Sequence, residues 1–124
     1  MKNEINNEAI GQRIRNEREK LDLSREEFAE LMNLSDYYIG QLERGERQMS
    51  LPTMVNMAKH LHISLDYLIF GDEIINNEYI IESYGSYGKY EIDFKEILDL
   101  LKKCSPAELE LYKKLLKTIL PYLT

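Results

Sequence analysis

The chain has 124 residues, which is room for one ordinary domain or for one small domain with an extension. Its 44% hydrophobic and 31% charged residues describe a globular protein, not a disordered one; no apolar run nears the ~20 residues of a bilayer span, and Met1-Lys2-Asn3-Glu4 lacks a signal-peptide core, so a cytoplasmic protein is expected. The net charge is −6, with 9 Lys and Arg against 12 Asp and Glu through residue 71 and 7 against 10 beyond it, so any attraction to nucleic acid must come from a local patch.

In chain order, Glu8 to Leu21 places Ile10, Ile14 and Leu21 on one helical stripe, with Asn7 as the expected N-cap. Ser24-Arg-Glu-Glu27 reads as a capping box that opens a second helix with Phe28, Ala29 and Met32 inward. Asn33 ends it, since asparagine tolerates the left-handed conformation of a sharp turn. Leu34 follows as a buried plug, Ser35 caps a third helix with Ile39 and Leu42 on its apolar side, and Gly45 marks its stop. Ser50 begins a fourth helix, with Pro52 tolerated in its first turn and Leu51, Met54, Val55, Ala58 and Leu61 expected to bury. Ser64 caps a short fifth helix carrying Leu65 and Leu68, terminated at Gly71.

After Gly71 the character changes. Residues 72–92 contain Tyr79, Tyr84, Tyr87 and Tyr90 with Gly85 and Gly88 between them, a linker or a marginal β-hairpin. From Asp93 a helical period returns with Phe94, Ile97, Leu98 and Leu101. Ser105-Pro-Ala-Glu108 is a second capping box, opening a helix with Leu109, Tyr112, Leu115, Leu116, Ile119 and Leu120 that stops near Pro121. The expected fold is all-α: five helices in residues 1–71, a tyrosine-rich linker in 72–92, and a C-terminal helical hairpin in 93–124.

Two short helices joined by a tight turn, from Arg25 to Arg44, have the spacing of a helix-turn-helix. Ala29 is small where the two helices would approach most closely, Asn33 occupies the turn, and Phe28, Met32, Leu34, Ile39 and Leu42 would fix the crossing. With Ile39 and Leu42 facing inward, the residues about 100° to 180° away around the third helix face outward. These are Asp36, Tyr37, Gly40, Gln41 and Arg44, with Ser35 at the helix start. Gln41 suits a bidentate contact with adenine, and Arg44 suits guanine or phosphate. Tyr37 can meet a thymine methyl or donate to phosphate, and Arg47 and Gln48 would clamp the backbone. An acidic Asp36 at the tip of such a helix repels phosphate and can accept only from a cytosine amino group.

The stretches Ile10-Gly-Gln-Arg-Ile-Arg-Asn-Glu-Arg18, Leu23-Ser-Arg-Glu-Glu-Phe-Ala-Glu-Leu31, Tyr38-Ile-Gly-Gln-Leu-Glu-Arg-Gly45 and Leu65-Asp-Tyr-Leu-Ile-Phe-Gly71 resemble the Cro/C1-type (XRE) helix-turn-helix regulators over about half the chain. The resemblance implies a five-helix repressor-like domain that binds double-stranded DNA. It implies base contacts at Asp36, Tyr37 and Gln41 and a phosphate contact at Arg25. It also implies a structural ion pair between Arg18 and Glu43, away from the bases.

A single module of this size buries little DNA surface, so pairing on half-sites about 34 Å apart is expected. Leu98, Leu101, Leu109, Tyr112, Leu115, Leu116, Ile119 and Leu120 would form a homodimer through the C-terminal helices, or else dock back on the first domain. The same surface could receive a protein antagonist, and an antitoxin or antagonist-controlled adaptor is the alternative to a repressor. Cys104 reads as an inert thiol sooner than a redox sensor, and His60 and His62 as structural or surface residues sooner than a metal site. The linker tyrosines would pack on the hairpin or stack on bases or a ligand. No phosphate loop, nucleophile motif or paired-histidine metal helix is present, so neither enzyme activity, cofactor nor metal is expected.

Overall fold

The computed structural model describes residues 5–71 and 94–123. Within them the chain forms α1 (Asn7–Lys20), α2 (Arg25–Met32), α3 (Asp36–Glu43), α4 (Leu51–Leu61), α5 (Leu65–Phe70), α6 (Phe94–Leu101) and α7 (Pro106–Ile119), closed by a 3-10 turn at Leu120–Tyr122. No strand occurs among the described residues. The tyrosine-rich linker expected at 72–92, and Asp93, lie outside them.

Side-chain caps set the start of each of the first five helices. The hydroxyls of Ser24, Ser35, Ser50 and Ser64 accept from the amides of Glu27, Tyr38, Thr53 and Tyr67. The box at Ser24 is reciprocal, because the Glu27 carboxylate accepts from the Ser24 amide at 2.9 Å. The cap of α1 is Asn6, not Asn7: its side-chain oxygen accepts from the Ala9 amide at 3.0 Å, so Asn7 is already inside the helix. Asn33 closes α2 in the left-handed conformation, with φ 58°.

Among the described residues, 5–71 and 115–123 belong to one compact unit and 94–114 to another. In the first, Ile10, Ile14, Phe28, Ala29, Met32, Ile39, Leu42, Met57, Ala58, Leu61 and Leu68 make the core, with Met49 added from the loop after α3. Leu34 is half-buried against it. The fourth helix departs from the sequence expectation. Leu51 (60% exposed) and Val55 (37%) face solvent, whereas Met57 is fully buried. The inward stripe runs Met54, Met57, Ala58, Leu61, an i, i+3, i+4, i+7 series, and Leu51 and Val55 fall on its flank.

Close backbone approach fixes α1 against α3. A Cβ at Gly11 would lie 2.4 Å from the carbonyl oxygens of both Leu42 and Glu43, so only glycine permits this crossing. The last residues of the chain belong to the same unit. Pro121 is fully buried, the Pro121 carbonyl accepts from His60 Nδ1 at 2.9 Å, and the Leu120 carbonyl accepts from His62 Nε2. Lys117 adds an ion pair to Asp22 at 3.3 Å. The C-terminal end therefore packs with the first five helices, and the two histidines hold backbone carbonyls.

In the second unit α6 has no fully buried side chain. Ser105 and Glu108 form the reciprocal box that opens α7, with bonds of 2.8 and 3.2 Å. No helix among the described residues is long and apolar enough to cross a membrane.

Candidate nucleic-acid interface

The third helix is held from beneath by Ile39 and Leu42, both buried, and Gly40 is buried with them. Its outer flank carries the residues expected there. Tyr37 is 66% exposed, Gln41 is half-buried, and Arg44, Arg47 and Gln48 are exposed. Ser35 is spent as the helix cap, with its oxygen accepting from the Tyr38 amide at 3.0 Å.

Arg18 lies against Glu43. Its Nε and Nη2 donate to the two carboxylate oxygens at 2.7 and 3.0 Å, and its Nη1 donates to the Leu23 carbonyl at 2.8 Å. The side chains are only 11% and 7% exposed, so this pair links α1 to α3 inside the domain and neither partner faces solvent as a groove contact would.

Arg25 and Asp36, expected as separate contacts, are joined. Arg25 Nε and Nη2 donate to the Asp36 oxygens at 2.7 and 3.0 Å, tying the first residue of α2 to the first of α3. That hydrogen bond holds the Asp36 carboxyl below the usual carboxylate range and the Arg25 guanidinium above its ordinary value. The carboxylate is thus paired within the chain, not the bare negative charge read from the sequence. Arg44 is paired as well: Glu46 accepts from its Nε, and from its Nη2 at 3.4 Å. The hydrogen bond from Arg44 lowers the Glu46 carboxyl in the same way. Arg47 lies over the Tyr38 ring, 5.3 Å from its centre, which fixes a long side chain at the edge of the face.

Glu46 and Tyr38 were missed as elements of this surface. The signal for Glu46 was its place two residues beyond Arg44; for Tyr38 it was an aromatic on the helix flank beside a basic loop. Arg13 is a third omission: its Nη1 donates to the carbonyls of Leu68 and Ile69 at 3.0 and 3.1 Å, closing the end of α5 against α1. Among the described residues no cluster of His, Cys, Asp and Glu has metal-binding geometry.

Residues 14–68 match the family model described as Helix-turn-helix. The control protein C.SmaI of Serratia marcescens is 34% identical over 71 residues, which covers 57% of this chain and 84% of that protein. Repressor protein C2 of Salmonella phage P22 is 32% identical over 68 residues, 55% of this chain and 32% of the repressor. The HTH-type transcriptional regulator DicA of Escherichia coli (strain K12) is 26% identical over 98 residues, 79% of this chain and 73% of DicA. Among solved structures, a chain of the SinR protein/SinI protein complex superposes with a TM-score of 0.51 at 26% identity, covering 75% of this chain and 94% of that one. With α2 and α3 joined by a tight turn inside the matched residues, and relatives of this identity and coverage, the chain belongs to the XRE-type helix-turn-helix family of DNA-binding transcriptional regulators.

Proposed function

We propose that the chain is a sequence-specific repressor that acts in the cytoplasm as a homodimer, each copy laying α3 in the major groove of one half-site. The observation that carries this reading is the polarity of α3: Ile39 and Leu42 are sealed beneath it while Tyr37 stands 66% exposed on the outer flank, beside Gln41. Base contacts come from Ser35, Asp36, Tyr37 and Gln41, with Arg44 on a guanine edge or on phosphate, and backbone contacts from Arg25, Arg47 and Gln48. The relatives named as repressors and regulators support the same role.

Residues 1–71 serve as the reader, 72–92 as a connection, and 93–124 as the pairing segment. Leu98, Leu109, Tyr112, Leu115, Leu116 and Ile119 are exposed, and Leu101 and Leu120 half-buried, leaving apolar surface for a second copy. The protein works by occupying DNA and not by catalysis. A second reading, an adaptor whose main partner is another protein, is favoured by that surface and by the likeness to a chain of a two-protein complex.

Duplexes selected from a random pool by the full chain test the proposal. Gln41→Ala and Tyr37→Ala should each weaken binding to the best duplex by about tenfold or more, as loss of a base contact does. Unchanged affinity in both variants refutes it. Light scattering of the free protein and of the complex reads the stoichiometry, and one copy per duplex refutes the dimer.

A further inference from the structure

Two guanidiniums meet above the only glycine of α3. A Cβ at Gly40 would lie 3.0 Å from Arg25 Nη1 and 3.0 Å from Arg44 Nη1. On each arginine the Nε and Nη2 edge is taken by a carboxylate of the chain itself, Asp36 for Arg25 and Glu46 for Arg44. The Nη1 groups are left over, and both lie close together over Gly40. A phosphate oxygen approaching the pair from solvent would meet two cationic donors at once. Side-chain exposure is 43% and 39% for Arg25 and Asp36, and 51% and 46% for Arg44 and Glu46. Ion pairs this exposed are weak in water, so a phosphodiester can displace either carboxylate.

Displacement has unequal consequences for the two acids. Asp36 is the first residue of α3, and the N-terminal residues of such a helix come nearest to base edges. A carboxylate released there stays close to the DNA, and only a base amino group can satisfy it. Glu46 follows the helix in a loop, at the opposite end from the N-terminal residues that come nearest to base edges. Its release costs the same on every sequence.

We propose that Asp36 and Glu46 compete internally with a shared backbone phosphate for Arg25 and Arg44, and that Asp36 thereby sets specificity: Arg25 passes to the phosphate only where a base amino group takes over the carboxylate. Random duplex meets arginines that are already satisfied. This inference rests on the reading of α3 as the DNA-contacting helix.

The test uses the full chain, its best selected duplex and a scrambled duplex of equal length, with affinities measured from about 50 to 200 mM salt. Asp36→Asn should raise affinity for scrambled DNA about tenfold without raising affinity for the selected duplex. Its salt slope on scrambled DNA should steepen by about one, the mark of one additional phosphate contact. Glu46→Gln should raise both affinities by one common factor and leave their ratio unchanged. Glu30→Gln, which removes an equal charge elsewhere on the exposed surface, should change neither. The proposal is overturned if Asp36→Asn leaves the ratio intact, or if Glu30→Gln reproduces its effect. Should Asp36→Asn fail to fold, Glu46→Gln decides, and unchanged affinity for both duplexes overturns the competition. A wild-type chain with no duplex affinity removes the function and this inference together; a binding wild type with silent variants removes the inference alone.

Discussion

Arg18 and Glu43 face each other through two hydrogen bonds of 2.7 and 3.0 Å in a site almost closed to water. Glu43 ends α3, so the pair fixes that helix to α1 at the end away from its cap. A carboxylate left alone in such a place cannot be resolvated. Arg18→Met should cost about 3–5 kcal/mol, most of a small domain's margin. Replacing both residues, Arg18→Met with Glu43→Leu, should recover much of that loss, since an apolar pair carries no desolvation penalty. Urea denaturation of the two variants checks this; a single variant as stable as the wild type refutes it.

Gly11 and Gly40 are both buried glycines, yet alanine should act differently at each. At Gly11 the new methyl meets backbone oxygens at 2.4 Å, so α1 and α3 must separate and the domain loses several kcal/mol, about the scale of overpacking or worse. At Gly40 the nearest atoms are the ends of two flexible arginines at 3.0 Å, which can move aside. Gly40→Ala should therefore melt near the wild type while shifting Arg25 and Arg44 and weakening DNA binding. Thermal melts paired with mobility shifts separate the two cases. Equal melting of both variants contradicts the argument.

Much of this was legible in the sequence because caps and turns are local. Ser24 with Glu27, Ser35, Asn33 and Gly45 act over three or four residues, and the structure uses each where the spacing put it. Apolar periodicity located Ile39 and Leu42 beneath α3 for the same reason. Pairings across separate elements were not legible. Arg25 and Asp36 are eleven residues apart, and nothing in their spacing says that one guanidinium spans the turn. Gly11 was invisible as a contact because its role belongs to the carbonyls of another helix.

The burial pattern of α4 offers a direct comparison. Met57→Ala empties a fully buried site and should cost about 2–5 kcal/mol. Leu51→Ala, at a position 60% exposed, should stay within about 0.5 kcal/mol of the wild type. Denaturant midpoints decide it, and the reverse ranking would mean that α4 is rotated from the orientation described.

Acid should weaken the capping boxes. Glu27 and Glu108 are held below the usual carboxylate range, first by the backbone amides of Ser24 and Ser105 and then by the serine hydroxyls. A group with a depressed folded pKa stabilises the fold above its unfolded value, near 4.3, and loses that contribution as pH falls through its lower folded value. Glu27→Gln has no carboxylate to protonate there, so between about pH 5 and pH 3 its stability should fall less steeply than the wild type's. Parallel slopes for the two proteins would show that the Ser24 box carries no charge-dependent share.

The end of the chain is tied down by imidazoles. Backbone carbonyls only accept, so the His60 and His62 ring nitrogens facing Pro121 and Leu120 must carry the protons. Each bond is worth about 0.5–1.5 kcal/mol net, and the two act on neighbouring carbonyls of a single turn. The Leu123 amide donates to the Leu120 carbonyl at 3.1 Å inside that turn, which makes its hydrogen exchange a local gauge of attachment. His60→Phe keeps a ring against Pro121 but removes the donor, and should speed Leu123 exchange by roughly tenfold or less. Amides of α2 and α3 should exchange as before, since neither helix touches the imidazoles through these bonds. Uniform acceleration across the domain would instead mean that His60 supports the global fold, and an unchanged Leu123 rate would mean that burial of Pro121 alone holds the turn.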